Sequence, residues 1–413
     1  MHACPAGLFR SGPRHAIFGT LAVMRTLTGI LEWPARAEGR VRQKSDWSLI
    51  ETAEDPFVPL SLGDEYNLRD GLEVTVEVEL RKPRRRRGKK PTGARQARPV
   101  VSSILEIEGM DPDQFRDRPR FEDLTVIDPT PRITLEYKGC PDSCRLIDLF
   151  CPIGFGQRSL IVSPPKAGKT TLLKQIAESI LRNHEDVYVV VLLVDERPEE
   201  VTDFRRTLAK DDAPWKDRVL VNASSNDHDV DRHVAVSIAT FERCKRMVEA
   251  GKDVVVVMDS LTRLGRAFNR SRRHASSGRT LSGGIDSKAM EVPRQLFGAA
   301  RKTEDGGSLT VIATCLVDTG SQMDTVIFEE FKGAGNMELI LDRKIAEQRL
   351  FPAINLAASG TRKEDLLLDP QTLNTIAALR RRLLNMPPPQ QIEQLLNALK
   401  RFETNAQLVG SAG

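Results

Sequence analysis

The string Ser163-Pro164-Pro165-Lys166-Ala167-Gly168-Lys169-Thr170-Thr171 sets a glycine, a lysine and hydroxyls at the spacing that a chain of phosphates needs. It lies between a short β-branched run and the helical pattern Leu172 to Leu181, the setting in which such a string becomes a phosphate-binding loop. N–H groups at the helix start, with the helix dipole behind them, favour an anion, and Gly168 lets the backbone approach it closely. Lys169 is expected to neutralise β- and γ-phosphate oxygens and Thr170 to ligate Mg2+ through its hydroxyl. Ser163 stands where the generic pattern has its first glycine, and the bland alternative is a proline-broken turn before an ordinary helix. Two further runs, Val191 to Glu196 and Val254 to Asp259, are apolar and end in carboxylates. In a parallel sheet such groups emerge at the edge where ligands bind. Asp259 is expected to hold Mg2+ through its waters, and Glu196 to orient an attacking water. Taken singly, either acid reads equally well as a solvated strand end.

Those groups need a sheet to place them. The runs Ser159 to Ser163, Val187 to Val194, Val254 to Met258 and Leu309 to Val317 read as strands buried on both faces. Between the second and third, Arg232 to Ala250 sets Val234, Ile238, Phe241 and Val248 at helical spacing. Strands alternating with helices predict an α/β fold with a largely parallel sheet. Two more helices are expected at Leu373 to Leu384 and Ile392 to Phe402. The first part of the chain differs. Val74, Val76 and Val78 alternate with polar residues, a half-buried strand. The basic Pro/Gly stretch at 81–98 reads as a cationic loop leading to another strand, Val100 to Ile107. The domain reading is therefore a leading extension at 1–28, a β-rich module at 29–110, a linker at 111–145 and an α/β domain at 146–413.

The 413 residues allow one large domain and a smaller one. With 61 Lys and Arg against 57 Asp and Glu, the net charge of +4 does not decide for or against a nucleic-acid partner. Six cysteines without a pairing pattern suggest reduced thiols, and Cys140, Cys144 and Cys151 lack the fourth ligand of a metal site. Nothing reads as a signal peptide or membrane span, so a cytoplasmic protein without a membrane partner is expected.

Longer strings add to this. Pro164 to Thr170, Asp195-Glu196-Arg197-Pro198-Glu199-Glu200-Val201-Thr202, Glu329-Glu330-Phe331-Lys332-Gly333, Gly335-Asn336-Met337-Glu338-Leu339, Arg343 to Glu347 and Ser359-Gly360-Thr361-Arg362-Lys363-Glu364 together resemble the Rho family of bacterial transcription termination factors. The resemblance implies a RecA-like P-loop ATPase domain behind a small OB or cold-shock-like β-barrel. It implies an RNA-dependent ATPase and 5′–3′ helicase, a homohexameric ring on single-stranded RNA that acts on the RNA polymerase transcription complex. ATP with Mg2+ would lie between subunits. On these positions Lys166, Ala167, Gly168, Lys169, Thr170 and Thr171 would hold phosphates, Arg197 would sense the γ-phosphate, and Phe351 would pack on adenine or else be plain core. Gly154, Phe155, Gly156, Gln157, Arg158 and Ser159 would belong to the same ATP site, and Arg362 would enter the neighbour's site. Arg279, Leu281, Ser282, Gly283 and Gly284 in one loop, and Gly320, Ser321 and Gln322 in another, would hold RNA in the central channel. Gln322 stands where the family typically has Lys. In the barrel, Glu38 to Gln43 replaces the family's Gly- and Phe-rich stacking strand. Phe57, Tyr66 and Trp47 remain, each as suited to a core as to a stacked base. The rival readings are another RecA-type ATPase and an RNA-binding regulator without turnover.

Overall fold

The computed structural model describes residues 25–34, 37–43, 52, 54–81 and 98–411. The basic run from Arg84 to Lys90 and Trp47 lie outside these residues.

The first unit is a closed five-stranded barrel of β1 (Arg25–Glu32), β2 (Gly39–Gln43), β3 (Phe57–Val58), β4 (Glu73–Arg81) and β5 (Arg98–Ile107), in the order β1-β2-β3-β5-β4. Alternation decides its inside: Val74, Val76 and Val78 point to the core beside Leu31, Val41, Val101 and Ile104. Helix α1 (Leu60–Tyr66) follows β3.

The stretch expected to be an extended linker is instead packed against both units. Phe115 on α2 (Pro112–Arg116) is buried in the barrel core, while Phe121 and Leu124 beyond it are buried in the core of the large domain. The short strand β6 (Val126–Ile127) then joins the large domain's sheet. Aromatics spaced among Asp, Arg and Pro read as polar linker locally, yet each ring finds a core. Removing a buried Phe costs about 3–5 kcal/mol.

After β7 (Arg132–Ile133), α3 (Asp142–Phe150) and β8 (Ile153–Gly154) come the elements of the parallel sheet. They are β9 (Arg158–Ser163), α4 (Lys169–Asn183), β10 (Val187–Glu196), α5 (Pro198–Leu208), β11 (Val219–Ser225), α6 (Val230–Glu249), β12 (Asp253–Asp259) and α7 (Leu261–Arg270). A hairpin of β13 (Thr280–Leu281) and β14 (Ile285–Asp286) precedes α8 (Glu291–Gly298), β15 (Arg301–Thr303), β16 (Ser308–Leu316), α9 (Gln322–Phe331) and β17 (Met337–Ile340). Strand β18 (Gly360–Thr361) closes the edge, and three helices between Pro370 and Ser411 finish the domain. The main path is β11-β10-β12-β16-β9-β17-β18, parallel from β11 to β17, with β18 antiparallel. Apolar cores cover both faces, which is why β10 and β12 carry no alternation.

Buried charge ties the units together. Arg243 on α6 pairs with Glu108 and lies 3.2 Å from Glu73, both on the barrel side. Arg69 reaches Glu249 at 3.0 Å, and Glu249 also pairs with Arg246 at 3.1 Å and accepts the Phe121 N–H at 2.8 Å. Removing one partner of such a buried set strands the other charge, at a cost of about 3–5 kcal/mol.

Candidate active site and nucleic-acid interface

The phosphate-loop string forms the turn from β9 into α4, with Lys166 (φ 66°) and Gly168 (φ 90°) both in the left-handed region. That curl turns backbone N–H groups toward one point, as an anion cradle requires. Lys169 pairs with Asp259 and lies 3.7 Å from Glu196 Oε1. Asp259 ends β12 beside β10, in register with Leu193, and accepts the Thr314 hydroxyl at 2.9 Å. Between Val194 and Glu196 the ladder slips, with Asp195 at φ 56°. This bulge rotates Glu196 inward until it is buried.

Burial, and next the Asp259 carboxylate, push the Glu196 carboxyl up to about 7, against the pull of Lys169 and Arg263. Arg263, one turn into α7, sets its Nε 3.1 Å from Glu196 Oε1 and donates to the Asp195 carbonyl. A carboxylate poised near neutrality beside a strand-end acid and a lysine suits proton acceptance from water. Asp259 Oδ2 is buried with no hydrogen-bond partner, and the Thr170 hydroxyl, next to Lys169 in the chain, donates to Glu200 at 3.5 Å. Hard oxygen donors of this kind fit Mg2+.

Beside the loop opens a cleft of about 420 Å³, lined among others by Lys166, Ala167, Gly168, Thr171 and Phe351. Phe351 is 44% exposed, which removes the plain-core alternative for it. Its ring lies so near Gly168 that a Cβ there would stand 3.4 Å from it. Arg197 is exposed at the start of α5.

Arg362 follows β18, and its backbone N–H bonds to Asn336 O at 2.8 Å. Thr361 pairs with Met337, which pairs with Ser159 at the beginning of β9. The register therefore sets Arg362 at the sheet edge opposite its own phosphate loop, roughly 15 Å away at strand rise. The side chain is exposed and finds no partner among the described residues.

The same register sets one group of the expected ATP-site residues away from the chain's own cleft. Gly154, Phe155, Gly156, Gln157, Arg158 and Ser159 enter β9 at that opposite edge and do not line the cleft. Their polar groups serve the fold: Gln157 Oε1 accepts Gly154 N–H, and Arg158 donates to Ala300 O and Ala334 O. Proximity to the loop along the chain does not become proximity in space, because a strand spends its length crossing the sheet.

The two loops read as RNA contacts meet in space. Gly283 packs on the backbone of Gln322 and Met323, so a Cβ there would stand 3.0 Å from Gln322 O. Arg279, Leu281, Ser282, Gly284, Gly320 and Gln322 are exposed around this junction, with Ser321 as the cap of α9. Helix α7 connects the junction to the phosphate site. Arg266 grips Asp324 through two bonds of 2.7 and 2.6 Å, Thr319 also donates to Asp324, and Asn269 bonds Gly284 O and Asp286 N–H.

Residues 143–361 match the ATP synthase alpha/beta family, nucleotide-binding domain. The chain is 46% identical to the transcription termination factor Rho of Aquifex aeolicus over 383 residues, which is 92% of this chain and 83% of that one. It is also 46% identical to Rho of Borreliella burgdorferi, over 92% of this chain and 69% of the relative. The chain belongs to the Rho family. Among solved structures, a prototypical ATPase from the type III secretion system of pathogenic bacteria aligns with a TM-score of 0.56 and 23% identity, over 70% of this chain and 78% of that one. The assembled ATPase EscN of enteropathogenic E. coli aligns with a TM-score of 0.56 and 20% identity, over 76% of each chain. These two share the fold. Membership makes the chain an ATP-hydrolysing enzyme, and no helix among the described residues is long and apolar enough to cross a membrane.

In the barrel of this Rho-family chain, the expected aromatic platform has a different form. Phe57 is half-exposed, with the Arg40 guanidinium 4.6 Å and the Arg98 guanidinium 4.4 Å from its ring centre. Arg98 is also paired with Glu38 at 3.0 Å. Tyr66 ends α1 and packs, half-buried, against the barrel core, so it is a packing residue before it is a platform. Sequence reading missed Arg263, Arg266 and Asn269. Their three-residue spacing directly after the Asp259 strand was the available signal, since i and i+3 share a helix face.

Proposed function

We propose that this chain is an RNA-dependent ATPase and 5′–3′ helicase that works as a homohexameric ring on single-stranded RNA and terminates transcription by releasing RNA from the RNA polymerase complex. The observation that carries the reading is α7. One ten-residue helix, about 15 Å long, begins at the Asp259 strand, holds Glu196 through Arg263, and holds both exposed loops through Arg266 and Asn269. A displacement of the loops by RNA must therefore be felt at Glu196.

In hydrolysis, Glu196 accepts the proton of the water whose oxygen attacks the γ-phosphorus while the bond to the ADP oxygen breaks. Lys169 balances the charge moving onto the phosphate oxygens, and Arg263 fixes the direction of the Glu196 carboxylate. Thr170 and Asp259 are the residues to hold Mg2+, which when bound neutralises phosphate charge. Arg362, on the far edge and unpaired, suits the site of the next subunit, where it would stabilise the transferring phosphoryl group. Phe351 offers a ring to the base, and Arg197, exposed at the start of α5, suits a contact to the γ-phosphate. Arg279 with the glycine-rich backbone of both loops suits a sugar–phosphate strand, and Gln322 contacts it without adding charge. Phe57 with Arg40 and Arg98 suits single-stranded RNA on the barrel through stacking and charge together.

The test is ATP turnover by the purified chain with and without RNA homopolymers, alongside a DNA oligomer of equal length. Stimulation by RNA above DNA is expected. Equal rates with and without RNA would remove the proposal, and preference for DNA would favour a different motor of this fold.

A further inference from the structure

The acid beside the catalytic one, Asp195, occupies the strained position of the β10 bulge and has no assigned part in the reaction. Its carboxylate is held between two cations or potential cations on different helices. Arg263 of α7 approaches Oδ2 at 3.8 Å, and His233 of α6 approaches Oδ1 with its Nε2 at 3.9 Å. His233 is buried, and its Nδ1 lies 2.7 Å from the Ser224 hydroxyl on β11. With the Ser224 hydroxyl donating to Nδ1, the neutral ring carries its proton on Nε2, the nitrogen that faces Asp195. Burial lowers the His233 pKa from its ordinary value, which keeps the ring in that neutral form.

The end of β11 is joined to the same bulge from below. Glu196 pairs with Ser225, and Asn226 N–H bonds to Glu196 O at 2.9 Å. The backbone that aims Glu196 is thus bounded by Arg263 on one side and by the Ser224–His233 pair on the other. At 3.9 Å the imidazole falls about 1 Å short of a hydrogen bond to Asp195, so a small movement of the bulge makes or breaks it.

We propose that His233 is a positioning residue for ATP hydrolysis: it holds Asp195, and through the bulge it sets where the Glu196 carboxylate meets the attacking water. It touches no substrate. Since α6 also carries Arg243 and Glu249, which pair with Glu108 and Arg69 on the barrel side, the latch sits on the helix that joins the two units.

The inference rests on Glu196 as the base, and the experiment separates the two. In the full-length protein at saturating RNA, kcat and KM for ATP and the melting temperature are measured for His233→Leu, His233→Gln, Ser224→Ala, Asp195→Asn and Glu196→Gln. Glu196→Gln is expected to abolish turnover; its survival would end the base assignment itself. His233→Leu is expected to lower kcat ten- to a hundredfold with KM within twofold and an unchanged melting temperature. His233→Gln, which keeps an N–H donor, should recover most of that loss, and Ser224→Ala should show a smaller drop in kcat. Asp195→Asn combined with His233→Leu should be no worse than the poorer single variant. An unchanged kcat in His233→Leu, no recovery in His233→Gln, or strictly multiplicative losses in the double variant would overturn the latch. If His233→Leu does not fold, Ser224→Ala and Asp195→Asn decide: full kcat in both overturns it.

Discussion

The phosphate site and the barrel surface use opposite electrostatics. At the phosphate site Lys169, Arg263, Glu196 and Asp259 are paired with one another, and both acids are buried. On the barrel, Arg40 and Arg98 flank the half-exposed Phe57 and stand in solvent reach, Arg98 paired with the exposed Glu38. Buried, mutually oriented charges act strongly and need no rearrangement when charge develops during reaction. Exposed guanidinium groups attract a polyanion from many directions, weakly and reversibly, and are screened by salt. On the proposed function, chemistry thus sits where geometry is rigid, and RNA capture where it is adaptable.

Substitutions can break that contrast, beginning with the most damaging. Arg362→Ala should lower RNA-stimulated turnover about 10³-fold or more. Lys169→Ala should be similarly inactive, yet mixing the two variants should restore part of the activity if Arg362 acts in a neighbour's site; steady-state ATPase assays of mixed samples check this. A mixture as dead as its components would argue that each chain works alone.

Next, Arg263→Gln removes a cation that holds the Glu196 pKa down. Glu196 accepts a proton only when ionised, so activity rises with pH through its pKa near 7, and loss of the cation moves this acid limb to higher pH. A pH–rate profile of kcat for both proteins measures the displacement. No displacement would mean that another group sets the limb.

A third change tests whether the two regions communicate through α7. Arg266→Ala should cut the stimulation by RNA on the order of tenfold, the size expected of a coupling contact. The ratio of rates with and without RNA is the measurement. The smallest effects should come from the barrel: Phe57→Ala is expected to weaken RNA binding by about 1–3 kcal/mol. Arg98→Gln should reduce the slope of log affinity against log salt by about one phosphate contact. Titrations at several salt concentrations distinguish these, and turnover at saturating RNA should remain near that of the parent.

Much of the motor was legible in the primary structure because its signals are local. The β-branched runs at 187–194 and 254–258, the Gly168-Lys169-Thr170 turn and the closing carboxylates each announce themselves within a few residues. The tie between Arg266 and Asp324 spans 58 positions, and that between Arg69 and Glu249 spans 180. No local pattern contains such pairs. Phe115 and Phe121 illustrate the same limit, since a polar neighbourhood hid two rings that bury in different cores. The string 154–159 shows the reverse: it is close to the phosphate loop along the chain and a whole strand length away in space.

What the order of amino acids determined alone was the set of elements and the chemistry at their ends, because hydrophobic period and loop composition act over one turn or one strand. Which carboxylate is buried, which arginine faces it, that Phe57 is flanked by two guanidinium groups, and that Arg362 lies at the sheet edge away from its own phosphate loop were decided only on folding. Strand order and the bulge at Asp195 set those relations, and both arise from packing between segments far apart in the chain.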